Sequence, residues 1–535
     1  MPLHRRVRDT ASQIPLWTLF PLFFTFVYLS HITLLRLPYF WDEAGYYIPA
    51  AWDFFRTGSL IPQSTLTNAH PPLPSILLAV WWHLSSFVVS GTRTFICLVT
   101  AAALLAVYKL ARDLSGALTA ATTVFLTALY PVWFTQSTLA HADIFAAAFT
   151  LWALAVYLAP SAKSSNLNPA LTAALFSLAA LSKETAIVTP FALAICQIVL
   201  LVQHRHDPNV RRECLRWLTA LAIPMIPLAA WYAYHYHQTG FVFGNPEFLR
   251  YNATANLTPV RILFSLWHRF VHLTIHMNLF VPVLCGLAAL LIPVSDPDAS
   301  PAIPRSARHT IAVVLIANLV AFSILGGALL TRYLLPLYPL EMLLCVSVWR
   351  RHLPQWWAFA VLSAVGFLSA LWINPPYTFA PEDNLTYRNM IVLHQQAAAI
   401  IEHRFPQATV LTAWPATSEL SRPEIGYTHR PIKVFAIQNF SLDEVQKAAA
   451  DPGQFDTALL FSTKCEPVPG HIDLGKLNHS ADTRYYDFHS DLSPVQTAAL
   501  LHGQLLWQAS RNCEWVAILR FPRIVNATLI RPTLR

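Results

Sequence analysis

For its first 373 residues the chain alternates long apolar runs with short polar loops. Runs near membrane-spanning length fall at about 15–35, 93–111, 117–135, 144–160, 169–183, 186–203, 217–235, 271–292, 309–330, 332–349 and 356–373. The pattern predicts about eleven spanning helices, two of them short. A further run, 73–90, is also long enough to cross, so charge has to settle the parity. Basic residues in short loops mark the cytoplasmic side. With Arg5, Arg6 and Arg8 inside, the loops carrying Lys163, Arg205, Arg211, Arg212, Arg216, Arg305, Arg308, Arg350 and Arg351 all fall on that side. Lys109 and Arg112 join them only if 73–90 does not cross. That run carries Trp81, Trp82 and His83 at its middle and reads as an interfacial or re-entrant helix.

After residue 373 the pattern changes. Long apolar runs disappear, charge rises, and strand-like pieces (ATVLTAW, DTALLFS, EWVAILRF) alternate with helical ones such as SLDEVQKAAA. The fold class expected is therefore a polytopic α-helical membrane protein, residues 1–373, with a soluble α/β or α+β domain, residues 374–535, large enough for its own core. Two long stretches lie outside, the first outer loop 36–92 and the C-terminal domain. The N-terminal HRRVR followed by LWTLFPLFFTFVYL looks like a signal peptide, but no small-residue cleavage site follows, so it reads as an uncleaved first span with a cytoplasmic N-terminus. In a bacterium this would be the inner membrane.

Composition agrees with the pattern. Of 535 residues, 55% are hydrophobic and 12% charged, against about a quarter charged in a soluble domain. The net charge of +8 sits in short loops between apolar runs, where it signals topology rather than nucleic-acid binding. Seven cysteines show no CxxC and no zinc spacing. Cys97, Cys196, Cys285 and Cys345 lie within apolar runs, whereas Cys465 and Cys513 lie beyond the last span, where an oxidising compartment favours a disulfide. His268, His272 and His276 recur every four residues without a carboxylate at ligand spacing. No cofactor is assigned, and a divalent metal is left open.

Five features carry candidate chemistry, and each has a plain reading beside it. In YFWDEAGYY, Asp42 and Glu43 lie just past the first span; they are a solvated pair in an aromatic belt or a general base in a cavity at the membrane face. In NAHPPLPSILL, the prolines place His70 above a helix start, which suits an anionic phosphate or is only a helix-entry turn. In QSTLAHADIF, His141 and Asp143 stand at the mouth of a span, where an acid also serves as a dipole partner. Lys183 in LSKETAIVTP is a functional cation or a snorkelling lysine. In TRYLLPLYP, Arg332 offers a planar fork of donors to a phosphate, with Tyr333 beside it in support. One topology, chosen from basic loops alone, brings all five to the same face.

These motifs, WDE, HPPL, QSxxxxxD, LSKE and RYLLPLYP in this order, resemble those of the C-type (GT-C) membrane glycosyltransferases, in the group of the protein O-mannosyltransferases and the aminoarabinose transferases that modify lipid A. The resemblance runs from about residue 15 to residue 350. It implies a polyprenyl-phosphate-linked sugar as donor, Asp42 as catalytic base, Asp143 shaping the cavity, and His70, Lys183 and Arg332 on the lipid-linked phosphate. Thr138 stands where the mannosyltransferases tend to have arginine, and Ala69-His70 where the aminoarabinose transferases have Glu-Lys, so the chain falls outside both named activities. The implied reaction is an inverting transfer to an acceptor hydroxyl on a glycan, lipid or protein. The alternatives from other classes are a secondary transporter, whose acids would cluster at the midplane, and a lipid-handling membrane protein without transferase activity.

Overall fold

Small side chains decide which helix lies at the centre. Ala142–Tyr157, ADIFAAAFTLWALAVY, is buried on nearly every side because its alanines let neighbouring backbones approach. It packs between Val89–Ser115 and Leu167–Ser182. The computed structural model describes residues 15–160, 167–246, 248–249, 257–295, 301–325, 327–463, 484–485 and 489–521. It divides into two units, Met1–Tyr387 and Arg388–Arg535.

The first unit is helical, and its helices break where polar residues gather. Gly116, at φ 87°, separates Val89–Ser115 from Ala117–Leu129. Pro131 then opens the short helix Pro131–Gln136 at the position where a missing N–H costs nothing. Extended backbone at His141 and Lys183 starts two further elements. Left-handed Met277 and Asn278 bend Pro259–Asn278 against Phe280–Leu290 by 96°.

Among the described residues, four helical stretches are long and apolar enough to cross a membrane: Val89–Ser115, Glu184–Gln203, Pro208–Thr239 and Arg305–Ile324. The bent pair makes a fifth. Other expected runs form apolar helices of 10–17 residues, including Leu16–Ser30, Ala117–Leu129, Leu167–Ser182 and Trp356–Ala370, so the number of spans expected from sequence stands as an inference. Leu73–Ser85 has 13 residues and is about 20 Å long, against a hydrocarbon core of about 30 Å. Phe191, Ile195, Ile198 and Val202 form an exposed stripe at helical spacing, as do Val361, Val365 and Leu368. Large apolar stripes like these are costly in water and suit lipid contact, as in an integral membrane protein.

The second unit holds a five-stranded sheet in the order β2-β1-β3-β5-β4, with β1 Thr409–Ala413, β2 Lys433–Ile437, β3 Thr457–Phe461, β4 Gln504–Arg511 and β5 Glu514–Arg520. β1 runs parallel to β2 and β3, while β5 is antiparallel to β3 and β4. Every residue of β3, TALLF, is buried, as befits a central strand covered on both faces. Cys513 is disulfide-bonded; Cys465, its expected partner, lies outside the described residues. The split between units falls at 387/388. The turn Pro381–Asp383 is buried, and the backbone N–H of Leu385 bonds to Leu371 O, which ties this stretch to the helical unit.

Candidate active site

Three carboxylates from distant parts of the sequence converge on one guanidinium. Arg332, on the one-turn 3-10 helix Thr331–Leu334, is 2% exposed. Its Nη2 donates to Asp42 Oδ2, its Nη1 donates to Glu382 Oε1, and its Nε lies 3.3 Å from Asp143 Oδ2. Asp42 immediately precedes a single π-helical turn, Glu43–Tyr47. Asp143 is in the first turn of Ala142–Tyr157, where the helix dipole favours its charge. Lys183 Nζ donates to Asp143 Oδ1 at 2.5 Å and stands 3.9 Å over the Tyr333 ring. Two cations and three acids thus form one network, buried except at Asp42.

From sequence Arg332 is expected to face a phosphate rather than a protein carboxylate; its guanidinium meets three carboxylates. A buried guanidinium requires anionic partners, and the three carboxylates supply them. His70 is held apart from Arg332 and Lys183: its Nδ1 lies 2.9 Å from Glu184 Oε2 and its ring stacks on Tyr47 at 6.0 Å. Tyr47 in turn faces the His141 ring at 5.7 Å. His141 is fully buried before the central helix, with Nδ1 2.9 Å from Gln136 Oε1.

Glu43, expected from sequence to stand with Asp42 among the catalytic acids, is fully buried. Its carboxylate accepts from the backbone N–H of Phe40 at 2.8 Å and of Ala140 at 2.6 Å, and pairs with Arg93 at 3.2 Å. Arg93 also donates to Leu37 O, Pro38 O and Thr138 O. Burial pushes the Glu43 carboxyl upward while Arg93 and the two N–H donors pull it down. Adjacent residues on the turn point different ways, so Asp42 reaches Arg332 while Glu43 fastens the first loop to the segment before Asp143.

Glu382 and Asp383 escaped the sequence reading altogether. They sit on the buried turn Pro381–Asp383, held by Thr135 Oγ1 donating to Glu382 O at 2.5 Å. Asp383 lies 3.0 Å from His276 Nε2 and accepts from Thr331 Oγ1. Burial pushes the Glu382 carboxyl up to about 8, with Arg332 opposing the rise and Asp42, Asp383 and Asp143 adding to it. An acidic pair at the edge of the last apolar run, like Asp42-Glu43 at the edge of the first, was the available signal. Arg93, a charge inside an apolar run, carried another.

Two cavities flank the cluster. One is lined by Asp143, Lys183, Arg332 and Tyr333 and continues along Ala146, Ala147 and Phe322 between helices. The other is lined by Tyr46, Tyr47, Asn68, His70 and Trp231. Ala142 lines one and Asp143 the other, so the start of the central helix separates them. Among the described residues no group of three or more His, Cys, Asp or Glu is arranged to hold a metal ion.

The helical unit, followed in sequence by a small sheet unit, has the fold of solved C-type (GT-C) membrane glycosyltransferases. It is similar to ArnT from Cupriavidus metallidurans bound to undecaprenyl phosphate, with a TM-score of 0.54 at 15% identity over 94% of this chain and 97% of that one. The apo state of the same ArnT gives 0.55 at 14% identity over 92% and 97%. Residues 69–233, which include His70, Asp143 and Lys183, match the family described as dolichyl-phosphate-mannose-protein mannosyltransferase. No curated protein matches the chain.

Proposed function

We propose that this protein transfers a sugar from a polyprenyl-phosphate carrier to an acceptor hydroxyl at the non-cytoplasmic face of the membrane, with inversion and with Asp42 as general base. The observation that carries the reading is the sharing of Arg332. Of the three acids on its guanidinium, the Asp42 side chain is 19% exposed, against 2% for Asp143 and 5% for Glu382. A base has to be reached by the acceptor, and only Asp42 offers that access.

In this reading the lipid phosphate enters the cavity lined by Lys183 and Arg332, and its isoprenoid follows the apolar wall toward Phe322. The phosphate shares the guanidinium's charge, which weakens its hold on Asp42 without displacing it, so donor binding readies the base. Asp42 removes the acceptor proton, the hydroxyl oxygen bonds to the anomeric carbon, and the bond from that carbon to the phosphate oxygen breaks with its electron pair leaving on the phosphate. Lys183 and Arg332 stabilise the developing charge in a partly dehydrated site, where preformed donors act most strongly. Asp143 holds both cations in place. His70, paired with Glu184, borders the second cavity and reaches the phosphate only after a shift. The N-terminus is cytoplasmic and the sheet domain outside.

The test is incubation of the reconstituted protein with radiolabelled polyprenyl-phosphate sugars and membranes of its source. Release of free polyprenyl phosphate together with labelled acceptor is expected. Donors that bind but are carried across the bilayer intact would replace the transferase reading with a transporter.

A further inference from the structure

The Arg332 guanidinium is crowded by carboxylates: Nη2 and Nη1 donate to Asp42 and Glu382, and Nε lies 3.3 Å from Asp143. A phosphate that takes the place a carboxylate holds on Nη1 or Nη2 displaces that carboxylate. Asp143 is anchored twice, by Lys183 and by its place in the first turn of a helix. Asp42 is needed at the reaction centre. Glu382 has Arg332 as its side-chain partner and a nearly closed environment, 4% exposed.

We propose that Glu382 is a stand-in for the donor phosphate, a positioning residue that holds Arg332 Nη1 and yields that position, carrying a proton, when the lipid phosphate arrives. This rests on the transferase reading and names the group that gates its donor site.

Charge explains why Glu382 is the one to move. Around it stand Arg332 on the Thr331–Leu334 turn, Asp42 from the first loop, Asp143 from the central helix with Lys183 behind it, and Asp383 on its own turn backed by His276. Four carboxylates face two permanent cations, and the incoming phosphate adds further negative charge. A buried anion without a partner is strongly disfavoured, so Glu382 leaves the guanidinium as the neutral acid. Its carboxyl is already pushed up to about 8 by burial, opposed by Arg332 and reinforced by the neighbouring acids. The neutral acid can then donate its O–H to a phosphate oxygen.

Donor binding is therefore linked to a proton on Glu382. Undecaprenyl phosphate is a suitable ligand because a phosphate monoester completes its second ionisation near pH 6 and does not titrate above pH 7.5. With the carboxyl at about 8, its Kd for the protein in nanodiscs should rise about twenty-fold from about pH 7.5 to about pH 9.5. Glu382→Gln should bind with little dependence on pH, and more tightly than wild type at the alkaline end. A residue that merely braced the fold would not improve binding when replaced. A flat wild-type profile overturns the proposal without reference to any variant, and so does a Glu382→Gln protein that keeps the wild-type slope. Absence of binding by both proteins at every pH would instead sink the transferase reading itself.

Discussion

Replacing Arg332 by Met removes the cation that three acids share. The side chain is buried and touches Asp42, Asp143 and Glu382. Removing one partner from a buried ion pair typically costs about 3–5 kcal/mol, because the other charge is left without compensation. Three carboxylates do not triple that figure. Asp143 keeps Lys183 at 2.5 Å, and Glu382, already pushed up to about 8 by burial, takes a proton. Asp42 remains, partly hydrated at 19% side-chain exposure, so the loss should stay within about 3–5 kcal/mol. Arg332→Lys should fall between, since one ammonium cannot face three carboxylates as a planar fork does. The assay is thermal unfolding in detergent, read as a ranking of apparent Tm because membrane proteins seldom unfold reversibly. Adding Glu382→Gln to the Arg332→Met variant should recover part of the loss, by removing an acid from the uncompensated cluster. An Arg332→Met protein as stable as wild type, with no response to the second change, would refute the cluster.

Two further outcomes test other buried acids. Arg93→Leu should destabilise by about 3–5 kcal/mol by stranding Glu43, and Glu43→Gln should lose stability and turnover together; a Glu43→Gln protein of normal stability without turnover would return Glu43 to the chemistry. In the sheet domain, burial pushes the Glu514 carboxyl up to about 7, with Ser462 donating to it in opposition. Its folded-state pKa is above the unfolded one, so the stability it contributes is present in acid and is lost as pH rises toward 7. Glu514→Gln should therefore protect the amides of β5 from hydrogen exchange at about pH 8, by up to roughly 3 kcal/mol, with little effect near pH 4; equal exchange in the two proteins at pH 8 would contradict it.

The elements written in local pattern were legible in the sequence. ATVLTAW, DTALLFS and EWVAILRF became β1, β3 and β5, all rich in buried apolar residues. β2 and β4 were not singled out, because KVFAI and QLLWQASR are largely exposed or half-exposed and lack a buried run. The helix Pro259–Thr274 starts well before the apolar run at 271, since it buries Arg261 and Arg269 among its apolar residues. Residue types at the site were also legible: acids, lysine and arginine at helix ends. Their partners were not. Glu382 lies 50 residues from Arg332 and Asp42 lies 290 away, and no local spacing shows which acid will meet which base. For that reason the sequence suggested Arg332 turned toward a ligand, where the fold turns it toward protein carboxylates.

The central claim is that Asp42 takes the acceptor proton, and Asp42→Asn tests it most directly. The change keeps the size of the side chain and an oxygen that can accept from Arg332, but removes the group that binds the proton. Turnover at saturating polyprenyl-phosphate sugar should fall about a hundred- to ten-thousand-fold, while undecaprenyl phosphate binding persists, because Lys183 and Arg332 are untouched. Near-normal turnover at saturating donor would contradict the account.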